Sequence, residues 1–201
     1  LSSKPVFEYD GSNLSKGLIL VKILLINGYT PHPDARGKLT EALIDLSATT
    51  LSPQHQVKQS NVLDYDLIEE YHKFQWADLI LLYFPLYWYA VPWGLKRYLD
   101  DVFEKHRFYD ADAQGRPVPL MTGKSFGYVT TLAAVEDTYR PGNPLTQGLT
   151  VGDLLQPLTV TFRYVGIEQQ ARFQNCVFYD VYDPKQVVAA KEALTVQLLS
   201  L

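Results

Sequence analysis

Hydrophobic positions along this chain follow two alternating rhythms. Leu20 to Asn27 is a short, nearly continuous apolar run that stops at Gly28, the pattern of a strand buried on both faces. Apolar residues then recur three and four positions apart at Leu39, Ala42, Leu43 and Leu46, which predicts an amphipathic helix after a loop punctuated by Pro31 and Pro33. A second strand is expected around Val57 to Val62, a helical stretch around Leu67 to Phe74, and the clearest strand of the chain over Ala77 to Pro85. Helical spacing returns at Trp93, Leu95, Tyr98, Leu99, Val102 and Phe103, and a polar connection runs from Asp110 to Gly123. Lys124 to Thr131 reads as a strand, Val151 to Tyr164 as one helix ending before Gly166, and Gln174 to Tyr179 as the last strand. The final helix is expected over Asp183 to Leu201, with Asp183 as its cap and Pro184 in its first turn. Strands alternating with helices in this way predict an α/β fold, a doubly wound five-stranded parallel sheet with helices on both faces.

The 201 residues suit one domain, expected over 18–201, with residues 1–17 read as an N-terminal extension. The apolar run from Leu18 to Ile26 is interrupted by Lys22 and reaches about half of the ~20 residues a membrane span needs, so no transmembrane helix is expected. Nor does the start of the chain show the basic, apolar and small-residue pattern of a signal peptide. A net charge of -4 argues against bulk neutralisation of phosphates, hence against a nucleic-acid partner. One cysteine, Cys176, excludes an intramolecular disulfide framework and a Cys-rich metal site, and favours a reducing compartment such as the cytoplasm.

Ligands of open α/β sheets bind beyond the carboxyl ends of the strands, which directs attention to three loops. Gly28 to Lys38 leads into a helix whose N-terminus offers free N–H groups to an anion, with Gly37 permitting close approach and Arg36 and Lys38 adding charge. It carries neither the dinucleotide GxGxxG nor the P-loop pattern. A plain surface loop with incidental basic residues fits these positions equally well.

Pro85 to Trp93 is more informative. Residues 71–109 hold 13 of the 26 aromatic residues, and Tyr87, Trp88 and Tyr89 are consecutive where a strand ends. Consecutive rings cannot all point into a core, so some face a cleft, where flat surfaces stack on planar conjugated ligands, or else close a sheet edge or a dimer contact. The third loop, Thr130 to Ala134, presents hydroxyls and small residues suited to hydrogen bonding at a ligand edge. Elsewhere the chemistry is sparse. His32, His55, His72 and His106 lack metal-ligand spacing, there is no GxSxG elbow, and Cys176 falls inside an expected strand as a small buried hydrophobe. Lys96 and Asp100 are spaced for a helix-surface pair.

Three blocks taken together, Trp76 to Ile80, Phe84 to Pro92 and Leu95 to Phe103, resemble the NAD(P)H:quinone oxidoreductases of the flavodoxin-like fold. The nearest branches are the ancillary flavoproteins of glutathione-gated potassium efflux systems and the modulator-of-drug-activity B quinone reductases. The resemblance runs from Lys22 to the C-terminus and is supported by Asp153 to Leu158 and the Tyr164-Val165-Gly166 turn. It implies the strand order 2-1-3-4-5 and a flavin, FMN or FAD, with its phosphate at Ala35, Arg36, Gly37, Lys38 and Leu39. The isoalloxazine ring would rest on Pro85, Leu86, Tyr87, Trp88 and Tyr89, and meet Thr130, Thr131, Leu132 and Ala133 at another edge.

The same resemblance implies two-electron transfer from NAD(P)H through flavin to a quinone, ping-pong turnover in one slot lined by Trp88 and Tyr89, and a homodimer with shared sites reached by Phe108 or Tyr109. This chain departs from the family in having Leu132-Ala133 where many relatives have two glycines. It has no histidine after His106, which leaves Tyr139 as the candidate for proton transfer, and no serines ahead of the first helix. Two other readings accompany the enzyme: a regulatory flavoprotein docked on a potassium-efflux system, peripheral at the inner face of the membrane, and an interaction protein that has lost its flavin.

Overall fold

The computed structural model describes residues 20–201, so the extension expected over residues 1–17 lies outside the described residues. At its centre are β1 (Lys22–Asn27) and β3 (Leu79–Pro85), the two apolar runs, which pair in parallel. β2 (Gln56–Asn61) pairs with the outer side of β1, and β6 (Lys124–Thr131) with the far side of β3. The resulting order, β2-β1-β3-β6 and then the last strand position, is the expected 2-1-3-4-5.

Side-chain alternation along the strands divides the core into two layers. Ile23 and Leu25 of β1, with Leu79, Leu81 and Tyr83 of β3, point to one face. There they meet Leu43, Ile44 and Leu51 of α1 (Lys38–Leu51) and Leu194 and Leu198 of α6 (Pro184–Leu198). Leu24 and Ile26, with Ile80, Leu82 and Phe84, point to the other face. They pack on α2 (Leu67–Trp76), α3 (Trp93–Val102) and α5 (Gln156–Tyr164) through Phe74, Leu95, Leu99 and Phe162. α1 and α6 are therefore neighbours on one side of the sheet, which positions the cleft described below.

Caps fix where several helices begin. The Asp66 carboxylate accepts from the amides of Ile68 and Glu69 at 2.9 and 3.0 Å, and Asp183 accepts from Lys185 at 2.9 Å with Pro184 in the first turn. Between the sheet and its α2–α3 face lies a buried carboxylate, Glu70. It accepts from the Ser60 hydroxyl at 2.9 Å, from the Lys73 ammonium at 2.6 Å and from the Tyr98 phenol. Burial, with Glu70 beside it, keeps that phenol protonated well above its ordinary range.

Three expectations need correction. The last strand is split: β7 (Ile167–Gln169) pairs with the start of β6, β8 (Cys176–Phe178) pairs with its end, and a turn at Ala171–Phe173 separates them. The turn drives Phe173 into the core directly over Gly127, where a Cβ would sit 2.2 Å from the Phe173 Cβ. Only a residue without a side chain admits that approach. The single helix expected over 151–164 is two, α4 (Val151–Leu154) and α5, because Pro157 supplies no N–H to continue the helix through Leu155. The polar connection contains a short antiparallel hairpin, β4 (Tyr109–Ala111) and β5 (Pro117–Pro119), whose turn is closed by Asp112 accepting from the Gln114 and Arg116 amides at 2.9 Å. No described helix is long and apolar enough to cross a membrane.

Candidate functional site

At the carboxyl edge of the sheet a cleft of about 640 Å³ opens between the β1–α1 loop, the β3–α3 loop, the end of β6 and the start of α6. Its floor and two ends are chemically distinct.

One end is the start of α1. Gly37 caps the helix with φ +69° and contributes no side-chain acceptor, so the amides of Lys38, Leu39 and Thr40, which have no intrahelical partner, remain available to an anion. Glycine is required here twice over. A Cβ would need the left-handed conformation and would lie 2.6 Å from the Tyr29 ring. That ring is held by its hydroxyl, which donates to the Ala35 carbonyl at 3.0 Å, so the loop is folded against α1 before any ligand arrives.

The opposite end is the aromatic loop after β3. Tyr87 and Ala90 exchange both backbone hydrogen bonds at 3.0 Å, which makes Trp88 and Tyr89 the two central residues of a tight hairpin turn. Both have positive φ, 44° and 64°, the arrangement of a type I′ turn normally taken by asparagine and glycine. Such strain is retained where the surrounding structure over-determines it, commonly at functional sites. Its effects are visible here. Trp88 is 86% exposed, and the amides of Trp88 and Tyr89 donate to no protein acceptor among the described residues. Tyr87 anchors the turn, its hydroxyl donating to the Thr30 carbonyl at 3.0 Å, and burial pushes that phenol up to about 12, so it is a fixed donor at neutral pH.

Most of the residues expected from the sequence meet in this cleft: Ala35, Arg36, Gly37, Lys38 and Leu39 at one end, Pro85, Leu86, Tyr87 and Trp88 at the other, and Thr131 and Ala133 along the floor. Thr130 and Leu132 do not line it. They alternate with Thr131 and Ala133 along β6 and its continuation, and both are buried on the opposite side. The Thr130 hydroxyl is buried with no protein partner.

Tyr89 and Tyr139 are also outside the lining. Tyr139 is buried against Tyr89 at a ring separation of 6.5 Å and against Tyr179 at 5.9 Å, so it supports the turn from behind rather than facing a reacting atom. Burial, then Tyr89, raises its pKa, which leaves it a phenol. Phe108, expected to reach a partner's site, is instead fully buried between Phe74 and Phe103, while Tyr109 packs edge-on against Tyr164.

Sequence reading missed the far wall. Val181, Tyr182, Val187 and Lys191 come from the loop after β8 and from α6, well over a hundred residues from the first loop. The Tyr182 hydroxyl donates to the Asp34 carbonyl at 2.8 Å and ties the two walls together. His32, read from sequence as a loop histidine, lines the cleft with its ring 4.7 Å from that of Tyr87. Its Nδ1 accepts from the Asp34 amide at 3.2 Å, which places the proton of the neutral ring on Nε2, a donor free for a ligand. The one signal in the sequence for the far wall is helical spacing, which puts Val187 and Lys191 one turn apart on a single face of α6.

Comparison with known proteins agrees with this architecture. The NADPH:quinone oxidoreductase MdaB of Haemophilus influenzae is 33% identical over 85 residues, 41% of this chain and 44% of that protein. The ribosyldihydronicotinamide dehydrogenase [quinone] of Mus musculus is 40% identical over 63 residues, 28% of this chain and 27% of that protein. This chain spans less than half the length of the curated relatives it matches. Among solved structures, an FMN-dependent NADH-azoreductase from Bacillus anthracis in complex with FMN superposes with a TM-score of 0.66 at 16% identity, covering 90% of this chain and 99% of the other. A family model described as a flavodoxin-like fold matches residues 21–199, and the chain belongs to that family.

Proposed function

We propose that this protein is a flavin-dependent NAD(P)H:quinone oxidoreductase whose cofactor is FMN, or FAD in its place. The observation that carries the reading is one cleft with two complementary ends, a cationic end rich in free amides and a flat aromatic end with the free Trp88 amide. A flavin has the same two parts, a phosphate and a planar ring edged with hydrogen-bond acceptors and donors. The donor set, free amides and cations at one end and an aromatic turn at the other, fits the group.

The amides of Lys38 to Thr40, with Arg36 and Lys38, would hold the phosphate. The Trp88 amide would donate to the ring edge, and the Trp88 indole would flank the planar acceptor. Bound there, a flavin supplies two-electron transfer from NAD(P)H to a quinone. The chain's own work is then to bind, orient and exclude water. Tyr87 and Tyr139 hold the turn rigid, and Nε2–H of His32 is the proton-bearing atom best placed to donate to a ligand in the cleft.

The names of the relatives, a quinone oxidoreductase and a quinone-dependent dehydrogenase, support the reaction class, and an FMN complex among the structural neighbours supports the cofactor. A homodimer and a cytoplasmic location belong to the same proposal. The exposed Trp88, Trp93 and Leu145 leave apolar surface for a second copy, and the lone cysteine is buried and needs no oxidising compartment. The test is an absorbance spectrum of the purified protein, mass identification of the chromophore released by heat, and anaerobic addition of NADPH followed by a quinone. Flavin bands that bleach and then return are expected. A colourless protein that binds neither FMN nor FAD would refute the proposal.

A further inference from the structure

We propose that Lys191 of α6 is a flavin-phosphate ligand, the third member of a cationic clamp with Arg36 and Lys38. This inference rests on the flavin reading above and specifies how the chain recognises the cofactor's anionic part.

All three side chains line the same cleft, and none has a carboxylate partner among the described residues. The lining contains a single acid, Asp34. Three unpaired cations against one carboxylate give the cleft a local positive excess of about two charges, on a chain whose net charge is -4. A phosphomonoester carries close to two negative charges at neutral pH, which matches that excess.

The placement of Lys191 has a structural cause. α1 and α6 lie side by side on one face of the sheet, held by Leu43 and Ile44 against Leu194 and Leu198. Within α6, Lys191 is one turn from Val187, so both project toward the wall formed by α1, while Ala190 and Leu194 point into the core. The Tyr182–Asp34 tie fixes the loop that leads into α6 against the loop that leads into α1. The lysine is thus carried on a rigid element to the cleft that holds Arg36 and Lys38, although it is far from both in sequence.

The experiment is a fluorescence titration of the ligand-free full chain with riboflavin, FMN and FAD, for the unmodified protein and for Lys191→Met and Lys191→Arg. Lys191→Met is expected to weaken FMN binding about tenfold, the loss of one charge-assisted contact, and to leave riboflavin affinity unchanged. Lys191→Arg keeps the charge and is expected to retain most of the FMN affinity. An equal loss with riboflavin, a loss confined to FAD, or no loss with FMN would overturn the assignment. Failure of the unmodified chain to bind any of the three flavins would overturn the flavin reading as well, and is distinguishable because it appears before any substitution is made. Thermal melting of Lys191→Met, expected to match the unmodified chain because the side chain is exposed, guards against a folding defect.

Discussion

Replacing Trp88 by alanine and, separately, by glycine isolates the strain in the aromatic turn. Both variants lose the same indole, so whatever its burial contributes is common to the pair. What differs is the Cβ at a backbone angle of φ 44°. A residue with a Cβ pays roughly 1–2 kcal/mol in the left-handed region. Glycine escapes that cost but gives back about 0.5–1 kcal/mol through its freer unfolded chain. Trp88→Gly is therefore expected to be the more stable of the two by about 0.5–1 kcal/mol, which for a domain of this size is ~1–4 °C in Tm. At an ordinary extended or helical position the order is reversed, alanine leading by a similar amount. The sign alone decides the matter, and thermal unfolding followed by circular dichroism reads it. Neither substitution is expected to disturb the fold, and both are expected to weaken binding of flavin or quinone because the flat surface is gone. An alanine variant as stable as the glycine variant, or more so, would show that the turn is not held left-handed in solution.

Other expectations follow from the same geometry. Gly37→Ala adds a Cβ at φ +69° and 2.6 Å from the Tyr29 ring, so the loop or the first turn of α1 must move. A stability loss of about 1–3 kcal/mol is expected in urea unfolding, with weaker binding of FMN. Gly127→Ala is expected to cost at least about 2 kcal/mol, because Phe173 is fully buried and its Cβ cannot withdraw from 2.2 Å. A midpoint equal to that of the unmodified chain would contradict the packing described for the split strand. Burial pushes the Cys176 thiol and the Tyr128 and Tyr87 phenols up to about 12 each, so the folded chain keeps protons that the unfolded chain releases from about pH 9 to 10 upward. Their stabilising contribution is complete below about pH 8.5 and is lost as pH rises toward 12. Urea midpoints should fall steadily above pH 9, and Cys176→Ala should remove the earliest part of the fall, whereas a flat profile to pH 11 would refute it.

Legibility in the sequence followed the range of the interactions involved. β1, β3 and α3 were readable because their burial is written into consecutive residues, and the Asp183-Pro184 cap because it is local. The split of the last strand was not readable, since it depends on Phe173 meeting Gly127 across the sheet. Within the site, the two loops that carry their own chemistry were found, but the α6 wall was not, because Lys191 acquires its meaning only when α6 packs beside α1. Thr130 and Leu132 were misplaced for a different reason. The period-two alternation of a strand puts Thr131 and Ala133 on the cleft side and their neighbours on the other, a rule available in the sequence once β6 was recognised. Tyr139 could be located only through its contact with Tyr89.

The central claim is that the cleft between α1, the Trp88-Tyr89 turn and α6 holds a flavin. A crystal structure of the full chain grown with FMN tests it most directly. The account predicts density in that cleft, with the phosphate within hydrogen-bond distance of the Lys38 to Thr40 amides and the Lys191 ammonium, and the ring edge on the Trp88 amide. Flavin density elsewhere on the molecule, or an empty cleft at saturating FMN, would contradict it.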